Sequence, residues 1–260
     1  MRERKLKAEI AAISRQLHQM GFVANHDGNV SVRLENDLLA CTPTAVSKRL
    51  IQEDDIITVD LKGQKVSGTG RPFSELNLHL AAYAARPEVK AVVHAHAPFA
   101  TAFGVSGETI SPTFLPEAVV SLGLEIPTAP LAMPGEPAVQ ALRPLLGRAD
   151  AFLLAGNGIL ALGNDLEQAF LRLELVEHLC KIAHAAKALG GPRPLPADFL
   201  GKLLEARKKA GLGPQGSAPA PVSAQPPTPA PAPKPAPSAA SSPDLRRLIA
   251  EELARALREK

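Results

Sequence analysis

Val89-Lys90-Ala91-Val92-Val93-His94-Ala95-His96 is a short apolar run that ends in two histidines one residue apart. Residues 89–93 read as a buried strand, and in extended chain residues i and i+2 point to the same side. His94 and His96 therefore leave the strand end together, and two imidazoles so placed can converge on one metal ion. Two structural histidines at a strand end would show the same spacing. A catalytic metal site uses three protein ligands and keeps one position open, so the pair needs a third donor. Glu75, a short helix upstream, could bring a carboxylate to the same place. Alone it reads equally as a solvated first-turn residue, favoured there by the helix dipole.

The strand sits among alternating helices and strands. Leu6, Ile10, Ile13, Leu17 and Met20 recur every three or four residues and predict a helix over 3–20, closed by Gly21. Residues 29–34 alternate as a half-buried strand, and Asn36-Asp37 turns the chain into Leu38-Leu39-Ala40-Cys41. Ile56–Asp60 is a further strand, turning at Lys62-Gly63. Pro72-Phe73-Ser74-Glu75 opens a helix that runs to Ala85, with Ser74 as its N-cap. Downstream, Ala151–Ala155 is an apolar strand that turns at Gly156-Asn157-Gly158 and resumes at Ile159. A long helix follows from Asp165 to about Leu189, and a short amphipathic one covers 196–210. His18, His79, His178 and His184 fall in helical patterns and read as surface or core residues. Turn-linked strands mixed with helical crossovers predict an α/β fold, a three-layer α/β/α sandwich with a mixed, mainly antiparallel central sheet.

Composition changes abruptly near Gly211 and divides the chain of 260 residues in three. Residues 1–212 have the aliphatic content of a globular domain. Residues 213–242 are Pro, Ala and Ser with Lys234 as the single charge, too poor in apolar side chains to fold, and predict a disordered, extended linker. About 30 residues at ~3.1 Å each give that linker a reach of roughly 90 Å. Residues 243–260 restore a helical pattern: Ser242 caps, Pro243 takes the first position, and Leu245, Leu248, Ile249, Leu253, Ala256 and Leu257 form one stripe. A lone helix of this length is marginal in water, so it reads as a docking element.

Several function classes lose support. The net charge of +3 is spread along the chain without a basic block, there is no tryptophan, and Tyr83 is the only tyrosine, which speaks against nucleic acid as a partner. No apolar run is long enough to span a bilayer, and the N-terminus lacks a signal-peptide core, so a cytoplasmic location is expected with no membrane partner. Cys41 and Cys180 are too few and too distant for a disulfide framework and read as two buried free thiols.

Read in order, Gly28-Asn29-Val30-Ser31-Val32-Arg33, Thr42-Pro43-Thr44, Pro72-Phe73-Ser74-Glu75, His79-Leu80-Ala81-Ala82-Tyr83, Val92-Val93-His94-Ala95-His96 and Leu153-Leu154-Ala155-Gly156-Asn157-Gly158 resemble the class II aldolase and adducin-head family, L-fuculose-phosphate aldolases included. The resemblance covers residues 5 to 210. It implies that His94 and His96 are ligands of Zn2+ or another divalent metal. It makes Glu75 the acid–base carboxylate, which also approaches the metal. Gly28, Asn29, Thr44, Ala45, Phe73 and Ser74 correspond to the loops that hold the phosphate of a small sugar-phosphate substrate. Small residues, hydroxyls and backbone N–H groups can cradle an anion without a lysine. The implied reaction is reversible aldol cleavage of a ketose 1-phosphate of the fuculose or rhamnulose type, in a homotetramer. The sugar-phosphate epimerase branch tends to carry aspartate at the position of Glu75, which tilts the reading towards aldolase.

The chain also departs from the family. The third zinc histidine falls on Asn157, whose amide oxygen is a weaker and harder donor than imidazole. The two tyrosine proton donors fall near Leu115 and on Ala210. Phe73 stands for a phosphate-site serine and Ala45 for a glycine, while Glu117, in the loop 115–117, is a replacement acid or ligand or a solvated charge. The alternatives are a metal site built from His94, His96, Asn157 and Glu75, an enzyme with a different substrate and a repositioned acid, or a catalytically degenerate adducin-like binding protein. The linker and terminal helix resemble the encapsulation peptides of bacterial microcompartment cargo, which implies a shell protein as partner through residues 243–260 and the compartment lumen as destination.

Overall fold

Alternating apolar residues build the centre of the molecule. A computed structural model describes residues 2–214; the terminal helix and all but the first two residues of the linker lie outside the described residues. The strands are β1 (Asn29–Arg33), β2 (Leu38–Cys41), β3 (Ile57–Asp60), β4 (Lys65–Ser67), β5 (Ala91–Ala95), β6 (Thr128–Ala129), β7 (Ala151–Leu154) and β8 (Ile159–Gly163). They form one sheet in the order β4-β3-β2-β1-β5-β8-β7-β6. Only the β6–β7 pair is parallel, so the sheet is mixed and mainly antiparallel.

The period of two sorts side chains onto two cores. Val30, Val32, Val93, Ala95, Leu153 and Ala161 pack beneath α1 (Arg2–Gln19), α3 (Pro98–Ser106) and α6 (Leu166–Lys187). Leu39, Cys41, Val92, Phe152 and Leu160 face the other way, against α2 (Leu76–Ala85) and α5 (Glu136–Leu142). Each fully buried leucine or isoleucine contributes about 1.5–3 kcal/mol. The expected three-layer α/β/α sandwich is therefore present. The remaining helices are α4 (Pro116–Leu122) and α7 (Ala197–Lys209).

Several local expectations change. The strand predicted over 89–93 runs from Ala91 to Ala95, so His94 lies inside the sheet and only His96 lies beyond it. Ser74 is not a helix cap: α2 begins two residues later with Glu75 at the N-cap, and the Ser74 hydroxyl donates to the Glu75 carboxylate instead. Glu117 is in the first turn of α4 and exposed, not in a loop. His79 is a core residue, fully buried on α2 with its Nδ1 2.7 Å from the Ser31 hydroxyl. Both thiols are free and buried, and burial pushes each up to about 12. No helix among the described residues is long and apolar enough to cross a membrane.

Candidate active site at the end of the central strands

Strand β5 lies between β1 and β8, and His94 is paired with Asn29 on one side and Leu160 on the other. Two glycines let the neighbouring loops close on it. A Cβ at Gly28 would meet Val23 Cγ1 at 2.4 Å and the His94 carbonyl at 3.1 Å; one at Gly158 would meet the Ala95 carbonyl at 2.2 Å and His96 Cα at 2.8 Å. Both also have positive φ, 69° and 74°, which L side chains adopt only with strain. The turn that carries Asn157 is thereby pressed against the histidine strand.

The two imidazoles differ in what stands behind them. His94 is fully buried, and its Nδ1 lies 2.8 Å from the carbonyl of Ile159. A carbonyl only accepts, so Nδ1 carries the proton and Nε2 keeps the lone pair. The Nδ1 of His96 has no such carbonyl; it lies at ion-pair range, 3.3 Å, from Asp27 Oδ2. The ring centroids are 5.1 Å apart with planes at 73°. Both Nε2 atoms are buried and without a hydrogen-bond partner among the described residues. Burial, and then the neighbouring His96, push His94 down to about 4, so it is neutral at ordinary pH.

Glu75 reaches this place from the start of α2. Its Oε2 accepts from Asn29 Nδ2 at 3.1 Å and from the Ser74 hydroxyl at 3.2 Å, and its charge acts on His94. The Oδ1 of Asn29 is buried without a partner among the described residues. Three tie-points join the surrounding loops: Asn29 to Glu75, Thr44 N–H to the Arg71 carbonyl at 2.9 Å, and Lys48 Nζ to the His26 carbonyl at 3.2 Å. Thr44 is half-buried, and Ala45 is exposed with φ of 60°. The ring of Phe73 is in the core, edge-on to His79 at 5.0 Å, so only its backbone is left for the site.

Asn157 is half-buried; its N–H donates to the Leu154 carbonyl, and its side chain makes no hydrogen bond among the described residues. No group of three or more His, Cys, Asp or Glu side chains stands arranged around a metal position among the described residues. The structure therefore brings His94, His96, Asn29, Ser74 and Glu75 together. It sets Gly158, next to Asn157, against the pair, and puts the Phe73 ring in the core and Glu117 on the exposed first turn of α4.

Three residues were not singled out from the sequence. Asp27 beside Gly28 reads as an ordinary turn residue. Lys48 is 2% exposed, with Nζ also 3.3 Å from the Val46 carbonyl. Burial lowers it to about 8, against the opposing pull of Asp27 and Glu75. Glu177, fully buried on α6, accepts from the N–H groups of Phe99 and Ala100 at 3.2 and 2.8 Å. It caps α3 directly after the histidine pair, where the helix has no side-chain cap of its own.

Residues 8–184 match the family model for the Class II Aldolase and Adducin N-terminal domain. The chain belongs to this family. It is 30% identical over 215 residues to the 5-deoxy-D-ribulose 1-phosphate aldolase of Bacillus thuringiensis serovar kurstaki, covering 81% of this chain and 98% of that one. It is also 30% identical over 185 residues to the 3-oxo-tetronate 4-phosphate decarboxylase of Pectobacterium atrosepticum, covering 69% and 84%. Among solved structures, an L-fuculose 1-phosphate aldolase superposes with a TM-score of 0.72 at 29% identity, over 78% of this chain and 96% of that one. These three relatives of this class II aldolase family member are named as two aldolases and a decarboxylase.

Proposed function

We propose that the protein is a divalent-metal-dependent class II aldolase that reversibly cleaves a ketose 1-phosphate to dihydroxyacetone phosphate and an aldehyde. The observation that carries this reading is the pair of buried, unpartnered Nε2 atoms on His94 and His96. Leaving a buried acceptor unbonded costs about 1–3 kcal/mol. Two such atoms side by side are the donor set an imidazole-binding cation takes. His94 and His96 would hold the ion, with Asn157 or Glu75 supplying a third donor. Zinc suits the imidazoles, and an oxygen third donor also suits a harder divalent metal.

When bound, the metal supplies Lewis-acid polarisation of the substrate carbonyl. The side chains supply the rest. Glu75 moves the proton at the carbon beside the carbonyl, taking it as carboxylate in condensation and returning it as carboxylic acid in cleavage. Asn29 and Ser74 hold that carboxylate in one orientation. Gly28, Asn29, Thr44, Ala45, Phe73 and Ser74 offer backbone N–H groups, hydroxyls and an amide to the phosphate, Phe73 through its backbone alone. Lys48 adds a buried positive charge beside these loops, which favours an anionic substrate.

A relative named as a 3-oxo-tetronate 4-phosphate decarboxylase favours a second reading, release of carbon dioxide from a phosphorylated 3-oxo acid. Both reactions break the bond on the far side of the α-carbon from a ketone and need the same electrophile. Purified protein with zinc should release dihydroxyacetone phosphate from fuculose, rhamnulose or 5-deoxyribulose 1-phosphate, and Glu75→Gln should abolish it. Carbon dioxide release from the 3-oxo acid phosphate instead would select the second reading. A metal-loaded protein that does neither would leave the adducin-like binding role. The Pro/Ala segment and the amphipathic stripe over 243–260 further support delivery of an oligomer, a homotetramer, to a microcompartment shell. Deleting residues 243–260 should abolish co-localisation with shell protein.

A further inference from the structure

Asp27 stands on the far side of His96 from the metal-facing nitrogen, and nothing in the family resemblance assigns it a role. Its Oδ1 accepts from the Ala24 N–H at 2.6 Å, and its own N–H donates to the Ala24 carbonyl at 3.0 Å. The same turn is clamped by Lys48, whose Nζ lies 3.2 Å from the carbonyl of His26. One carboxylate oxygen is thus tied down, and the other, Oδ2, is left 3.3 Å from His96 Nδ1. His96 lies beyond the last residue of β5 and its side chain is 30% exposed. The sheet that fixes His94 does not fix His96.

His94 has a hydrogen-bonded backbone carbonyl to set its tautomer, whereas His96 has the Asp27 carboxylate at ion-pair range. A carboxylate behind a metal-binding imidazole fixes the ring, selects the Nδ1–H tautomer and strengthens the opposite nitrogen as a donor; loss of such a partner typically costs 10–100-fold in metal affinity. Asn157 provides only an amide where the family has a third imidazole, so the chain has more need of this help than its relatives. We propose that Asp27 is a positioning residue that holds His96 with its Nε2 lone pair facing His94, and so offsets the weak third donor in binding a divalent cation. The proposal rests on the metal-site reading given above.

Two measurements on the full chain test it. In metal-free protein, two-dimensional 15N–1H spectra of the histidine rings should show His96 as the Nδ1–H tautomer. Asp27→Ala should shift it towards the Nε2–H form that predominates in free imidazole side chains, while Asp27→Asn, which keeps an acceptor, should restore Nδ1–H. Zinc competition against a chromophoric chelator should then show affinity 10–100-fold weaker in Asp27→Ala and intermediate in Asp27→Asn. A His96 tautomer that ignores Asp27→Ala, or equal zinc affinity in the wild type and Asp27→Ala, overturns the proposal. Wild-type protein that binds no zinc overturns the metal-site reading and the offsetting role with it. The metal-free spectra separate that failure from a failure of Asp27 to orient the ring.

Discussion

Two buried polar clusters in this domain are built on opposite terms. At one end of the sheet, the Asp150 carboxylate receives Arg86 at 2.8 Å, Arg172 at 3.0 Å and Arg207 at 2.9 Å. The remaining guanidinium Nη atoms find carbonyls: Arg86 binds Leu146 and Ala149, Arg172 binds Leu162, and Arg207 binds Val120 and Ser121. That cluster joins α2 on one face of the sheet to α6 on the other, and to α7. Around His94 the account does not balance. Two imidazole nitrogens and one amide oxygen are buried with nothing to bind among the described residues. A satisfied buried network holds the fold together, and an unsatisfied one marks where something else binds.

The largest expected effect is on the satisfied side. Asp150→Ala leaves three arginines without their shared carboxylate and should cost about 3–5 kcal/mol in urea unfolding. A loss below about 1 kcal/mol would mean that the cluster is not structural. A pH effect of similar size comes next. Burial holds His79 well below its ordinary value and His94 at about 4. The unfolded chain binds protons near pH 6.5 that the folded chain refuses. Their contribution is therefore complete above pH 6.5 and lost as pH falls, at about 1.4 kcal/mol per group per pH unit. Metal-free protein should lose stability steeply between pH 6.5 and 4.5. His79→Gln, which keeps an acceptor for Ser31, should flatten that slope.

Smaller effects test the unsatisfied side. Ala45 holds a φ of 60°, a left-handed conformation that costs a non-glycine residue about 1–2 kcal/mol. Glycine's greater freedom when unfolded takes back part of that, so Ala45→Gly should stabilise by at most about 1 kcal/mol, read from the urea midpoint. The smallest change in stability is expected from His96→Ala. With 30% of its side chain exposed and no partner on Nε2, His96 contributes little to the fold. Its removal should leave unfolding within about 1 kcal/mol of wild type and yet abolish metal binding.

Strand-scale features were readable because they are local. The strand over 29–34, the stripe of α1 and the start of α6 at Asp165 each occupy a few consecutive residues, and each element is found, although β1 is buried on both faces where half-burial was expected. The 7- to 9-residue helices α3, α4 and α5 were not readable: each spans about two turns, begins next to proline and carries small residues in place of a full apolar period. Ser74 failed as a cap because a neighbouring carboxylate, one residue on, captured its hydroxyl. Tertiary partners were hidden for a similar reason. Asp150 meets Arg86 across 64 residues and Arg207 across 57, Glu177 reaches Ala100 across 77, and His96 finds Asp27 in a distant loop. Order along the chain located the histidine pair; only the folded arrangement shows that both rings turn a bare nitrogen inward.

The most direct measurement is a zinc titration of the full chain beside His94→Ala/His96→Ala and Asn157→His. About one zinc should bind per wild-type chain and none to the double variant, and affinity should be tighter by at least about tenfold when imidazole replaces the amide. Zinc bound equally by the wild type and the double variant, or no gain from Asn157→His, would contradict the metal-site reading.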